Sequence, residues 1–464
     1  MGQEGQKRPM TQPSIVGRGN ADGARLFREW FDGLNRAAEA GKPSAYVFVM
    51  GSLAELLRVF DFPIVFPEIN SLQTAVRRVA HEYLAEAEDY GYSPDICGYV
   101  KADVAVQLRG GRHPMGRIPK PGIAVHTNAC NTYIKWAEIW ERMYHVPVFT
   151  IDVPGSRAAD LKPGRGDGDF ENDRRYVATQ LEELIPACER VSGVRFDIDR
   201  LREHLAHANA MSAAWSDVLA LNRSRPSVFN ALSDGTIYLG VANGFRGTAA
   251  GAAYFLDLVE EMQYKADHGI GTLTDEKYRL LFVGVPCYPI FRRFGELFTE
   301  WGGTFVGSTY LWFASGGSHL GFQYDLKRPL ESLAEGLLIN VREAMDSMFF
   351  QTRALAEMLD DYAADGVVFH PIKSCRTVST GLADNRRALM AMRDVATLFI
   401  ESDLMDRRVV SEAQLKNRVD AFFEGLASRK QQAALSSQLS AISSQHSALS
   451  GSGGGPRPEA PTEC

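Results

Sequence analysis

The residues of this chain best suited to soft-metal or redox chemistry are its six cysteines, at 97, 130, 188, 287, 375 and 464. Two of them end stretches of one design. PGIAVHTNACN (121–131) runs apolar Ile123, Ala124 and Val125 into His126, then a short polar loop, then Cys130. GVVFHPIKSCR (366–376) runs Val367, Val368 and Phe369 into His370, a loop and Cys375. Each reads as a buried strand that delivers a thiol beyond its carboxyl end, where open α/β sheets bind ligands. Cys97 follows the helix-breaking Pro94 in SPDIC. Three thiolates converging from separated loops suit a soft metal or an iron–sulfur cluster. Their spacing is no CxxC pattern, and three unrelated buried thiols fit it too.

Other residues carry two readings each. Cys287, in GVPCYPIF, ends a strand and is either a fourth ligand or a core thiol. Cys188 falls in a helical pattern and Cys464 in the tail; neither is expected to take part. His126 and His370 could donate to a thiolate or a carbonyl, or be satisfied structural histidines. Glu68, in FPEIN, is a general acid or base, or the first-turn acid of a helix. Gly51-Ser52 opens a helix whose N–H groups could hold an anion or a thioester oxygen. Lys101, Arg109, Arg112, Arg117 and Lys120 could meet the phosphates of a CoA ester, or be solvated. No GxxxxGK[ST] occurs and no GxGxxG follows a strand, so ATP or NAD binding by those loops is not indicated.

Elements must bring these residues together. Short apolar runs at 46–50, 62–66 and 146–153 join the opening strand, with helical patterns at 22–41, 53–59, 71–90, 99–108 and 132–144 between them. A second run has strands at 280–285, 304–308, 366–369 and 397–402, and helices at 289–301, 330–361, 381–395 and 411–428. Between them, 176–191, 198–221 and 248–267 are helical and 222–247 is turn-rich. The fold class is therefore α/β: two doubly wound parallel-sheet (Rossmann- or flavodoxin-like) domains with a helical connecting layer, read as a weak internal repeat. The expected division is a disordered 1–21, a first α/β domain 22–155 with Cys97 and Cys130, a loop and helical region 156–275, a second α/β domain 276–428 with Cys375, and a disordered low-complexity tail 429–464.

Composition sets limits. The 464 residues are 45% hydrophobic and 23% charged, with net charge −7, ordinary for a globular protein of more than one domain. The acidic balance argues against a nucleic-acid partner. No apolar run approaches a membrane span, and the N-terminus has no secretory apolar core. The cytoplasm is the default location, where the cysteines stay reduced.

Several segments together resemble the 2-hydroxyacyl-CoA dehydratase family: DICGYVKAD (95–103), GVRFDIDRLREHL (193–205), FRGTAAGAAYF (245–255), EKYRLLFVGVP (276–286), ADGVVFHPIKSC (364–375) and FIESDLMDRR (399–408). The likeness covers about 45–427, and the second, third and last segments resemble its ATP-dependent (class I) benzoyl-CoA reductase branch, in the larger cluster-binding subunit. The resemblance implies a cubane 4Fe–4S cluster on three cysteines, which map onto Cys97, Cys130 and Cys375, with the fourth iron open or filled by another group. It implies as partners a homologous second cluster subunit, an ATP-hydrolysing activator and ferredoxin as electron donor. The implied substrate is benzoyl-CoA or a related aryl-CoA, and the product a cyclohexadiene carbonyl-CoA made in anaerobic aromatic degradation. Cys287 departs from the reductase pattern and could be a fourth thiolate or line the pocket.

Adding an electron to an aromatic ring is strongly uphill, and the thioester carbonyl helps by delocalising the charge. The protein must exclude water, donate hydrogen bonds to that carbonyl and supply protons. Ser52, Glu68 and His126 are the candidates. A 2-hydroxyacyl-CoA dehydratase subunit, eliminating water on the same scaffold, is the alternative. A non-catalytic α/β binding module with inert cysteines is the second.

Overall fold

The structure is a computed structural model that describes residues 15–155, 168–314, 321–345 and 348–450. Parts of the expected terminal disorder and of the 155–170 loop lie outside the described residues. Two four-stranded sheets organise the chain. The first holds β1 (Ser44–Val47), β2 (Ile64–Val65), β5 (Pro121–Thr127) and β6 (Val148–Ile151), in the order β2-β1-β5-β6. A two-stranded hairpin, β3 (Arg112–His113) and β4 (Gly116–Arg117), interrupts the basic loop. The second sheet holds β7 (Tyr278–Gly284), β8 (Gly303–Ser308), β9 (Gly366–His370) and β10 (Ala396–Phe399), in the order β10-β9-β7-β8. Every pairing in both sheets is parallel.

Read from its other edge, the second sheet runs β8-β7-β9-β10. Both sheets then have their second, first, third and fourth strands side by side, the doubly wound order. This is the α/β architecture expected, and the strand order agrees with the repeat. The switch points fall between β1 and β5, and between β7 and β9, so the loops after β5 and β9 open beside a crevice.

The strands are apolar throughout because both faces are covered. On β5, Ile123 and Val125 enter one core and Ala124 the other. On β7, Leu280 and Phe282 face one cluster while Leu281 and Val283 face another. The helices Ile198–Leu221 and Ala249–Asp267 form much of the connecting layer, with Trp215 edge-on to Phe255. Asp197 caps the first of these through Asp199 N and Arg200 N, and Thr248 caps the second through Gly251 N.

Several elements differ from the sequence expectation. Helix Arg18–Glu39 begins inside the stretch expected to be disordered, because Glu261 accepts from Gly17 N and Gly19 N, both at 2.6 Å. At the other end, helix Glu412–Ser450 continues through the first part of the tail. The expected helix 71–90 is two, Pro67–Val76 and Ala80–Asp89, broken where Arg78 takes a left-handed φ of 62°. The turn-rich 222–247 contains helix Ser233–Gly244. Its glycines serve close packing: a Cβ on Gly235 would collide with Leu311, and one on Gly240 would meet Phe27 at 2.9 Å. The expected 330–361 helix is Pro329–Leu337, a π-helical stretch Leu338–Met345, and Met348–Asp361. Phe322, Tyr324, Leu333, Leu337 and Val341, which lie between β8 and β9 in sequence, pack into the core of the first sheet. No helix among the described residues is long and apolar enough to cross a membrane.

Candidate active site

Cys97, Cys130 and Cys375 each stand at the residue before a helix begins. Those helices are Gly98–Leu108, Asn131–Tyr144 and Arg376–Ser379. The N–H groups of Tyr99 and Val100 face the Cys97 sulfur, and those of Thr377 and Val378 the Cys375 sulfur. Helix starts present such donors unspent, and they favour thiolates. The three side chains line one cavity of about 220 Å³ set between the two sheets. Thr377 reaches across from the second half, its Oγ1 3.1 Å from Cys130 Sγ.

Without a metal, burial is the main force on these thiols. It raises Cys97 far above the ordinary thiol range and Cys375 to about 11. Cys375 and Cys130 add to the shift on Cys97, so the sulfurs feel one another's charge. A bound cation reverses that balance and holds thiolates outright. Among the described residues no group of three His, Cys, Asp or Glu side chains gathers tightly enough for a single metal ion. A cubane asks for something else, since each thiolate binds its own iron and the ligands stand apart around the cluster. Three soft donors spread over the wall of one cavity fit that larger group.

Glu68 and Ser52 line the same cavity; His126, His370 and Cys287 do not. Glu68 is buried, in the first turn of helix Pro67–Val76. Its Oε1 accepts from Tyr133 Oη at 2.6 Å and from Val49 N at 3.2 Å, while Oε2 has no partner. Burial raises its carboxyl to about 7, against the pull of those two donors. Tyr133 is fixed by its ring, stacked 3.8 Å from that of Phe48. Ser52 Oγ accepts from Ala54 N at 3.2 Å. Gly51 before it has φ 69°, and a Cβ there would meet Thr127 Oγ1 at 2.5 Å.

His126 sits at the carboxyl end of β5 but turns aside. Its Nδ1 is 3.0 Å from Thr127 O and its Nε2 3.0 Å from Thr150 Oγ1 on β6. His370 repeats this, Nδ1 2.6 Å from Val285 O and Nε2 2.5 Å from Ser402 Oγ. Burial lowers both, His370 to about 4, so both are neutral at pH 7. Cys287 is fully buried in the core beneath the second sheet, its sulfur bonded to Ser402. None of the five basic residues lines the cavity, and Arg112, Arg117 and Lys120 are exposed. Lys101 is buried against Glu88 and Pro94 O, and Arg109 pairs with Glu86.

Tyr133 was not anticipated, although it stands three residues after Cys130 and shares its helix. Nor was Arg246, buried on the cavity wall in FRGTAAG, donating to Glu55 and Tyr324. Tyr99, Trp136, Tyr310 and Phe313 complete an aromatic lining.

Known proteins resemble this chain along most of its length. A benzoyl-CoA reductase subunit of Thauera aromatica is 34% identical over 88% of this chain and 94% of its own length. The alpha subunit of (R)-2-hydroxyisocaproyl-CoA dehydratase of Clostridioides difficile is 26% identical over 88% of this chain and 95% of its own length. The alpha subunit of (R)-phenyllactyl-CoA dehydratase of Clostridium sporogenes is 25% identical over 81% and 88%. All are named as subunits of enzymes. A family model described as 2-hydroxyglutaryl-CoA dehydratase, D-component, matches residues 52–426, and with the relatives it shows that the chain belongs to the 2-hydroxyacyl-CoA dehydratase family.

Proposed function

We propose that this chain is the cluster-bearing subunit of an ATP-dependent aryl-CoA reductase, with benzoyl-CoA or a related ester as substrate. One observation carries the reading: three thiols from both halves share a cavity whose other walls are aromatic rings and a proton-bearing carboxyl. The 34% relative, named for benzoyl-CoA reductase, supports the reductase branch. Cys97, Cys130 and Cys375 would hold a 4Fe–4S cluster, which supplies single low-potential electrons to the thioester-activated ring. Cys287 is not assigned as a ligand, since its sulfur is turned into the core.

The chain's own residues do the rest. Tyr99, Tyr133, Trp136, Tyr310 and Phe313 give a flat ring an apolar, water-poor seat. Glu68 lines the cavity with a carboxyl that burial raises to about 7 and an Oε2 without a partner, and can release a proton as charge builds on the substrate. Tyr133 holds Glu68 and restores its hydrogen bond after the transfer. Gly51 and Ser52 line the cavity, and the Ser52 hydroxyl and backbone N–H would donate to the thioester oxygen. His126 acts from behind, by holding the end of β5. Two electrons and two protons convert the ring to a cyclohexadiene, and the electrons come from ferredoxin through a separate ATP-hydrolysing activator. A homologous second cluster subunit completes the complex, in the cytoplasm. The domain division at 22–155, 156–275 and 276–428 belongs to the same proposal.

Iron analysis and EPR of the anaerobically purified complex test this. A cubane signal lost in Cys130→Ala is expected; an iron-free, colourless protein overturns it. The family description and the 26% and 25% relatives favour a second reading, radical elimination of water from a 2-hydroxyacyl-CoA. Offering both esters to the activated complex separates the two, since turnover of the hydroxyacyl ester alone reverses the choice.

A further inference from the structure

The loops that carry Cys97 and Cys375 come from different halves, yet one short segment touches both. Asp403 Oδ2 accepts from Ser374 N, the residue before Cys375, at 2.9 Å. Asp403 Oδ1 accepts from Met405 N at 2.8 Å and Asp406 N at 3.0 Å, which folds the segment back on itself. Met405 then presses on Gly98, the residue after Cys97: a Cβ at Gly98 would stand 2.6 Å from Met405 Cβ. Farther along the segment, Arg408 grips Glu88 with both prongs, Nη1 to Oε2 at 2.9 Å and Nη2 to Oε1 at 2.6 Å. Glu88 in turn accepts from buried Lys101, on the helix that Cys97 starts, and Lys101 also donates to Pro94 O at 2.8 Å. Asp406 braces Arg408 from the other side, accepting its Nε at 2.9 Å.

We infer that the segment 403–408 is a strap that fixes the Cys97 loop against the Cys375 loop, with Arg408 as its positioning residue. The inference rests on the cluster reading above. An isolated exposed ion pair would do little. Here a bidentate guanidinium joins two carboxylates and a buried ammonium, a geometry that holds position. Pro94, Gly98, Lys101, Ser374, Asp406 and Arg408 also line a cleft of about 180 Å³. Gly98 and Ser374 face this cleft while their neighbours Cys97 and Cys375 face the substrate cavity. The two loops are thus the wall between cleft and cavity, and the strap holds that wall shut.

The test uses Arg408→Ala, Arg408→Lys and Glu88→Gln in the whole complex, with Arg393→Ala, a remote exposed pair with Asp360, as control. Arg408→Ala should retain iron as purified but release it to a chelator several-fold faster, with an altered cubane EPR line shape. Arg408→Lys should recover part of both effects, and Glu88→Gln should imitate Arg408→Ala even if that variant folds poorly. In the reduced, iron-free chain, alkylation of Cys97 and Cys375 should also quicken several-fold in Arg408→Ala. Iron release, line shape and alkylation all equal to wild type overturn the strap. Faster alkylation in a chain that never holds iron would keep the strap and sink the cluster reading instead.

Discussion

The two halves share a strand order but use it differently. In each, a histidine at or next to the end of the third strand sets its Nε2 against a hydroxyl on or just beyond the fourth: His126 with Thr150, His370 with Ser402. In each, a cysteine follows that histidine at the start of a helix. The halves part at the end of the first strand. After β1 the chain turns through Gly51 and leaves Ser52 on the cavity, where Glu68, delivered after β2, joins it. After β7 it turns through Gly284 and buries Cys287 against Ser402. Both turns border the one cavity, the first with a hydroxyl and the second with Val283, Gly284 and Val285, while Cys287 is turned away into the core. The repeated scaffold thus repeats the histidine and cysteine after its third strand more faithfully than the residues after its first.

Removing one thiol from each half gives the largest contrast. Cys130→Ala should abolish the EPR signal and reduce ring reduction at least about 100-fold, as expected when a metal site loses a ligand. Cys287→Ala should keep iron and activity and cost about 1–2 kcal/mol of stability in denaturant melts, as a buried side-chain truncation does. Equal iron loss in both would mean that Cys287 is not turned away from the cavity as described.

Glu68→Gln comes next. It should lower turnover about 100-fold, the lower end for a lost general acid, and remove the limb near pH 7 from the rate profile. The stability effect has a definite sign. A carboxyl raised in the fold favours the protonated state, so its contribution is present below the unfolded value near 4.5 and is lost as pH rises through about 7. The variant should therefore melt higher than wild type at pH 8 and not at pH 5. A wild-type melting profile flat from pH 5 to 8 would show that Glu68 is not held neutral.

The paired glycines follow. Gly51→Ala, at φ 69°, and Gly284→Ala, at φ 121° with His370 O 2.6 Å from the new Cβ, should each cost about 1–3 kcal/mol. Both turns line the cavity, but only the first borders Ser52, so Gly51→Ala should raise KM for the ester more than Gly284→Ala does. The smallest effect belongs to the histidines. His370, lowered to about 4, contributes stability that is whole above the unfolded value near 6.5 and fades as pH falls toward 4. His370→Gln should flatten the melting profile between pH 7 and 5, and His126→Gln should do so less.

Much of this was legible in the chain. The apolar runs ending in His and Cys marked the strands, because a doubly covered parallel strand needs no polar face. The three thiols were legible as loop residues beyond strand ends. The direction of His126 was not, since residues along a strand alternate faces and the loop, not the strand, sets what the last one sees. Cys287 was ambiguous for the same reason. Glu68 was legible as a candidate, but its raised carboxyl depends on burial among separate elements that outweighs the lowering bond from Tyr133. The helix Ser233–Gly244 hid behind glycines that read locally as turns and act globally as packing sites. The packing of 322–341 under the first sheet left no local trace at all.

The distribution of the three thiols along the chain has a consequence for its synthesis. Cys97 and Cys130 emerge from the ribosome with the first sheet, while Cys375 follows about 245 residues after Cys130, at roughly 5–20 residues per second. If the three thiols hold a cluster as proposed, a nascent chain offers only two of them during that interval. Loading of the proposed group would thereby be tied to translation past Cys375, and products truncated before it would lack the third thiol.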